Sequence, residues 1–226
     1  MKKFLLGLLV FQFFTFVANA QLQKGSIMLG GKINYTNSNS DQERTTDINT
    51  TRNAKSNSFS FDPKIGYTLG NNWVIGAIFR IQTGKSIIDA TSYNNSNINN
   101  EKITDEQKAF GAGLFARKYF PFGDKFSAFG ELNTGAIWNK YTSQYETSST
   151  SYDENETKYN EFQTGLLAGI AYFPKNWMAI ELSTNLITFT SSDQESEISP
   201  SSSNSFDFGF NTSAINLGVS FFLNNK

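Results

Sequence analysis

The chain predicts an all-β fold, an eight-stranded antiparallel up-and-down transmembrane β-barrel with short periplasmic turns and long extracellular loops. Three observations predict it. Apolar residues recur at every second position through eight separate runs. The links between runs alternate between tight and long, and the polar face of the runs is also their glycine face.

The barrel is preceded by an export signal. A basic Met1-Lys2-Lys3 head, an apolar stretch from Phe4 to Val17 and the small residues of Ala18-Asn19-Ala20 describe a signal peptide over residues 1–20. Cleavage between Ala20 and Gln21 leaves residues 21–226 as the barrel domain. The apolar stretch is shorter than the roughly 20 residues of a helical membrane anchor. The sequence has no cysteine, so it offers neither a lipid attachment site nor a disulfide framework. Loss of the two positive charges of Lys2 and Lys3 takes the formal net charge from −1 to −3. So mildly acidic a chain presents no basic stripe for nucleic acid.

The strands follow in order. The first sets Ile27, Leu29, Gly31, Ile33 and Tyr35 against Met28, Gly30, Lys32 and Asn34. The second sets Phe59, Phe61, Ile65, Tyr67 and Leu69 against Ser58, Ser60, Asp62, Lys64 and Gly66. The third sets Trp73, Ile75, Ala77, Phe79 and Ile81 against Gly76, Arg80 and Gln82, and only Gly70-Asn71-Asn72 separates it from the second, which marks a hairpin. A fourth carries Phe110, Ala112, Leu114, Ala116 and Phe120 opposite Gly111, Gly113, Phe115, Arg117 and Tyr119. It is joined across Pro121-Phe122-Gly123-Asp124 to a fifth with Phe126, Ala128, Leu132, Ala136 and Trp138 opposite Ser127, Glu131, Asn133, Gly135 and Asn139. The sixth shows Phe162, Leu166, Ala168, Ile170 and Tyr172, the seventh Met178, Ile180, Leu182 and Leu186, with Tyr172-Phe173-Pro174-Lys175-Asn176-Trp177 as their corner. The eighth ends the chain as Ile215, Leu217, Val219, Phe221 and Leu223. Its earlier half, Phe206, Phe208 and Phe210, is out of phase, so a bulge is expected near Asn211 to Ala214.

The remaining links, about Asn37 to Asn57, Gly84 to Glu106, Tyr141 to Tyr159 and Ser191 to Asn204, are long and rich in Ser, Asn, Thr and charge, a loop composition. Tight turns at one end and long polar segments at the other describe a barrel with two different rims.

Alternation does not say which face is inside. A soluble ligand-carrying barrel turns its apolar set inward; a membrane barrel reverses this. Three features select the membrane. Gly66, Gly76, Gly111, Gly113, Gly135, Gly165, Gly169 and Gly218 share the polar face, where the narrow bore of eight strands needs small residues beside its large ones. Tyr67 and Trp73, Phe120 and Phe126, and Tyr172 and Trp177 flank the three tight turns, as rings at a headgroup level do. Strands of about 10 to 14 residues satisfy the 9 to 11 or so needed to cross hydrocarbon. Pro63, lacking an amide hydrogen, is expected at a local irregularity of the second strand.

Gly113-Leu114-Phe115-Ala116-Arg117-Lys118-Tyr119-Phe120-Pro121 followed by Phe126-Ser127-Ala128-Phe129-Gly130-Glu131 resembles a segment of the outer membrane protein beta-barrel domain family, small porin-like proteins of Gram-negative bacteria. Ile65-Gly66-Tyr67 through Asn72-Trp73-Val74-Ile75-Gly76 resembles its second hairpin, and Asn216-Leu217-Gly218-Val219-Ser220-Phe221 its closing strand. The resemblance implies an eight-stranded barrel in outer-membrane lipid, inserted by the barrel-assembly machinery. Members commonly finish on an aromatic residue, whereas here Leu223-Asn224-Asn225-Lys226 follow Phe222.

The sequence contains no histidine and no cysteine, which removes the usual activator of a serine nucleophile and the usual zinc ligands. No catalytic residue, metal ligand or cofactor is therefore expected. What stands out on the inward face is charge: Lys32, Asp62, Lys64, Arg80, Arg117, Glu131 and Glu181. Ions so confined should pair, and the expected network has Arg117 and Arg80 bridging Glu131 and Glu181, with Lys64 and Asp62 nearer the loops. Such a network either fills the bore or filters ions. In the loops, Tyr141, Tyr145, Tyr152 and Tyr159, with Asp193, Glu195 and Glu197, are candidates for an extracellular ligand. Two function classes follow, a structural or surface-interaction barrel and a small passive porin-like channel for ions or small solutes.

Overall fold

The computed structural model describes residues 22–44, 49–94, 97–147, 153–195, 201–209 and 215–224. Residues 1–20 and the bulge expected between Asn211 and Ala214 lie outside the described residues. The elements are all strands: β1 (Ile27–Arg44), β2 (Asn49–Gly70), β3 (Trp73–Asn94), β4 (Asn97–Pro121), β5 (Phe126–Thr147), β6 (Asp153–Lys175), β7 (Met178–Glu195), β8 (Ser201–Phe208) and β9 (Asn216–Leu223). Every pairing is antiparallel, and β1 to β7 are neighbours in chain order. β9 lies between β7 and β1 and closes the ring of eight through Ile27–Lys32 against Gly218–Leu223. β8 continues along β7 beyond β9, from Ile187↔Phe208 to Gln194↔Ser201. The last run of the sequence is thus two strands, and closure involves its final part.

The turns show why the base is tight. Asn71 and Asn72 both have positive φ, 49° and 62°, the two left-handed residues of a type I′ hairpin whose twist matches its strands. At the β4–β5 corner Gly123 takes φ 77° while the Phe122 amide donates to the Phe126 carbonyl at 2.8 Å. Lys175 pairs with Met178, leaving Asn176-Trp177 as the corner of β6–β7. Pro63 interrupts the β2–β3 ladder as its missing amide requires: pairing stops at Phe61↔Ile81 and resumes at Lys64↔Ile78. A register shift at Leu166/Leu167 breaks the alternation expected of β7 at Leu186.

Where they are described, the long polar segments are paired strand rather than loop. β1 to β7 run for 18 to 25 residues rather than 10 to 14, and most of the supposed loop residues are paired, as in Asn37↔Asn57, Lys85↔Glu106 and Tyr141↔Thr157. Once a hairpin is registered at its base, each further rung satisfies two backbone groups without closing a new loop. Opposite charges placed across the strands add to this, with Lys85 to Glu106 at 3.0 Å and Lys140 to Glu156 at 2.5 Å. Composition hides such strands because both of their faces are wet, and hydrophobic alternation then has no cause. At about 3.3 Å per residue the 22 residues of β5 extend roughly 70 Å along the strand, well over the thickness of a bilayer's hydrocarbon core even when tilted.

Side chains inside the turn end of the ring form the core. Met28, Val74, Phe115, Tyr119, Phe129, Phe173 and Phe222 are buried together, and Leu22 joins them from below. The segment ahead of β1 is tied in by three bonds: the Leu22 amide donates to Asn72 Oδ1 at 2.9 Å, the Gly25 amide to the Thr68 carbonyl and the Thr68 amide to the Ser26 carbonyl.

Candidate functional site

The candidate site is the charged bore immediately above that aromatic floor. Alternation along β2, β4, β5 and β7 aims Lys64, Arg117, Glu131 and Glu181 inward, and the β4–β5 register places Arg117 directly opposite Glu131. Arg117 donates from Nε to Glu131 Oε2 at 2.7 Å, with Nη2 2.6 Å from the same oxygen, and from Nη1 to Glu181 Oε1 at 2.7 Å. Lys64 reaches Glu131 Oε1 across the bore. The Tyr119 hydroxyl accepts from Arg117 Nη1 at 2.7 Å and donates to Glu181 Oε1 at 2.9 Å, and Ser220 donates to that same oxygen at 2.8 Å. Glu131 is 0% exposed. Two cations and two carboxylates therefore balance in a dry cluster, the condition under which buried ions are tolerated.

Aromatic faces complete the cluster. The Arg117 guanidinium lies 4.3 Å from the centroid of the Phe129 ring and 5.4 Å from that of Tyr119, and Lys64 Nζ is 5.2 Å from Phe115. Tyr119 in turn packs on Phe129, Phe173 and Phe222 at centroid distances of 5.6 to 6.2 Å.

The remaining expected members form a second, looser layer. Asp62 faces Lys32 Nζ at 3.4 Å and Arg80 at 3.3 Å from Nε, and Arg80 Nη1 donates to Gln163 Oε1 at 3.0 Å. The expected pairing is corrected here in two respects. Arg80 bridges Asp62 and Gln163 rather than Glu131 and Glu181, and Lys64 belongs to the dry cluster rather than to the layer of Asp62. Alternation fixes which way a side chain points, but which partner lies across the bore depends on strand stagger and closure. Tyr119, Ser220 and Gln163 were missed as network members; the inward phase already carried all three, and their lack of formal charge hid them.

The outer face carries the apolar set. Leu114, Phe162, Ile170 and Leu182 are all half or more exposed, Leu114 by 65%, while Met28 and Val74 of the other phase are 0% exposed. A soluble barrel with an apolar bore is thereby excluded. Tyr67, Trp73, Phe120, Phe126, Tyr172 and Trp177 stand exposed on this outer face beside the three turns, with Phe126 and Tyr172 in contact at 5.0 Å and Trp177 stacked on Phe221 at 6.2 Å. Toward the other end Phe110 stacks on Trp138 at 6.0 Å. The apolar band between these two levels ends where the polar extensions begin.

A family model described as outer membrane protein beta-barrel domain matches residues 19–194. The chain belongs to that family. Among solved structures, this outer membrane barrel is similar to the outer membrane protein OprG from Pseudomonas aeruginosa, at 10% identity over 90% of this chain and 98% of that one, with a TM-score of 0.48. It is also similar to Ail, the attachment invasion locus protein of Yersinia pestis, in complex with the heparin analogue sucrose octasulfate. That match has 15% identity over 89% of this chain and 100% of the other, with a TM-score of 0.36. No curated protein matches the barrel.

Of the tyrosines and acids singled out in the polar segments, Tyr152 and Glu197 lie outside the described residues. Tyr141 and Tyr159 sit on the extended strands with Gln107 and Asp105: Gln107 Nε2 donates to the Tyr159 hydroxyl at 3.2 Å, and Ser143 donates to Asp105 at 2.7 Å. They line a built strand surface, not a free loop.

Proposed function

We infer that this chain is an integral outer-membrane barrel of Gram-negative type with a structural or surface-interaction role, its bore filled rather than open. The single observation carrying this is the dry cluster of Arg117, Glu131, Glu181 and Lys64 resting on the Tyr119, Phe129, Phe173 and Phe222 rings. An ion crossing it would have to part charge-assisted bonds of 2.6 to 2.7 Å in a low-dielectric setting. The aromatic residues at the turns mark the periplasmic interface, and the paired polar extensions stand clear of lipid on the extracellular side, where a partner could be met. Export by residues 1–20 and insertion by the barrel-assembly machinery fit the same reading. Catalysis has no support, since the sequence supplies neither histidine nor cysteine. The alternative, a small passive porin-like channel, requires the cluster to open. Planar-bilayer recording of the purified protein separates the two: the filled reading expects a silent bilayer, and steady channels whose selectivity changes in Glu131→Gln would overturn it.

A further inference from the structure

Three lysines stand side by side on the outer face, just above the apolar band. Strand register sets Lys108 of β4 directly opposite Lys140 of β5, and Lys140 directly opposite Lys158 of β6. We propose that this row binds the phosphate of an anionic outer-leaflet lipid, a phosphorylated glycolipid held by its headgroup. The proposal rests on the reading of the polar extensions as extracellular.

Charge gives the first argument. Residues directly opposite in an antiparallel pair have Cβ atoms about 5 Å apart, and like charges so placed repel. Here that repulsion is built in twice, on two successive strand pairs. Glu156, one outward step above Lys158, relieves part of it by meeting Lys140 at 2.5 Å and Lys158 at 3.2 Å. The corresponding acid above Lys108 is Glu106, which is already engaged by Lys85 at 3.0 Å. Lys108 is exposed and has no ion pair among the described residues. Glu195, opposite Lys158 on β7, bounds the patch on that side. At this level of β3 to β6, then, Lys85, Lys108, Lys140 and Lys158 face only Glu106 and Glu156, and an incoming anion is what would quiet the row. The lysines remain reachable: even the paired Lys140 and Lys158 side chains are 48% and 68% exposed.

Height gives the second. Lys108 and Lys140 lie one outward step above Phe110 and Trp138, whose rings stack at 6.0 Å and end the apolar band. Apolar wall, aromatic pair and cations follow one another in the order in which a leaflet presents acyl chains, their boundary and phosphate. A phosphate carried on a lipid therefore arrives at the height of the row with its chains against the band, which a free phosphate does not.

The test is binding of monophosphoryl lipid A to the full mature barrel in neutral detergent micelles, read by native mass spectrometry, with the dephosphorylated lipid and inorganic phosphate for comparison. The phosphorylated lipid should bind at least about tenfold more tightly than either, and Lys108→Gln with Lys140→Gln should lose at least about tenfold. Glu156→Gln releases Lys140 and Lys158 and should bind more tightly. Lys102→Gln, in the exposed pair with Glu146 higher on β4, should leave binding unchanged. Equal binding of the two lipids, inorganic phosphate bound as tightly as the lipid, or a Glu156→Gln protein that binds no more tightly overturns the proposal. The first two outcomes are read on the unaltered protein. A leaking barrel in planar bilayers bears on the filled bore and leaves this measurement unaffected, whereas lipids bound equally by a silent barrel would sink the phosphate site alone.

Discussion

Glu131→Gln is the sharpest perturbation of the bore. The carboxylate is fully buried, takes two contacts from Arg117 at 2.6 and 2.7 Å and a third from Lys64, and so neutralises half of the positive charge in its layer. Glutamine keeps the shape and one acceptor oxygen, but its amide group meets donors, and one positive charge is left without a counter-ion. Stranding a buried charge in this way costs about 3–5 kcal/mol. At about 1.4 kcal/mol per decade, that is two to four decades in the folding equilibrium. Equilibrium urea unfolding in lipid vesicles, followed through the three tryptophans, reads it directly. The companion variant Glu131→Gln with Lys64→Met removes the stranded charge, leaves the Arg117–Glu181 pair intact and keeps an apolar stem beside Phe115. It should recover at least about 2 kcal/mol of the loss. A single variant within about 1 kcal/mol of the parent, or a double variant no more stable than the single, would refute the view of a dry, charge-balanced cluster.

Further outcomes follow from the same geometry. Gly169→Val should destabilise by about 1–3 kcal/mol, because its Cβ would stand 2.4 Å from Phe129 Cζ and drive that ring off the floor; unchanged urea unfolding would show that the floor has slack. Leu22→Asp places a charge among buried rings and should lower the urea midpoint, with Leu22→Ala costing about 2–5 kcal/mol by the same measurement. Lys85→Ala, by contrast, removes an exposed pair and should change stability by no more than about 1 kcal/mol. In single-tryptophan proteins, lipids brominated near the headgroup should quench Trp73, Trp138 and Trp177 more strongly than lipids brominated at the chain end, if all three lie at interfacial levels. The folded protein should also migrate differently on detergent gels before and after boiling.

The inward and outward faces were legible because hydrocarbon and a narrow bore impose opposite demands on alternate residues. Met28 and Leu29, adjacent in sequence, end 0% and 40% exposed for that reason. The turn at Asn71-Asn72, the break at Pro63 and the roll of charged inward residues could likewise be read from single positions. The polar halves of the strands could not, since Asn37↔Asn57 and its neighbours lie where both faces meet water and no periodicity survives.

By itself, then, the sequence determined direction: which side chains face the bore, which face outward, and where the chain turns. Partnership was decided by tertiary structure. Lys64 on β2 meets Glu131 on β5 across the bore, and Arg80 meets Asp62 rather than either glutamate. These pairings depend on the stagger and curvature at which the ring closes, and closure is a property of all the strands together, set by no local stretch.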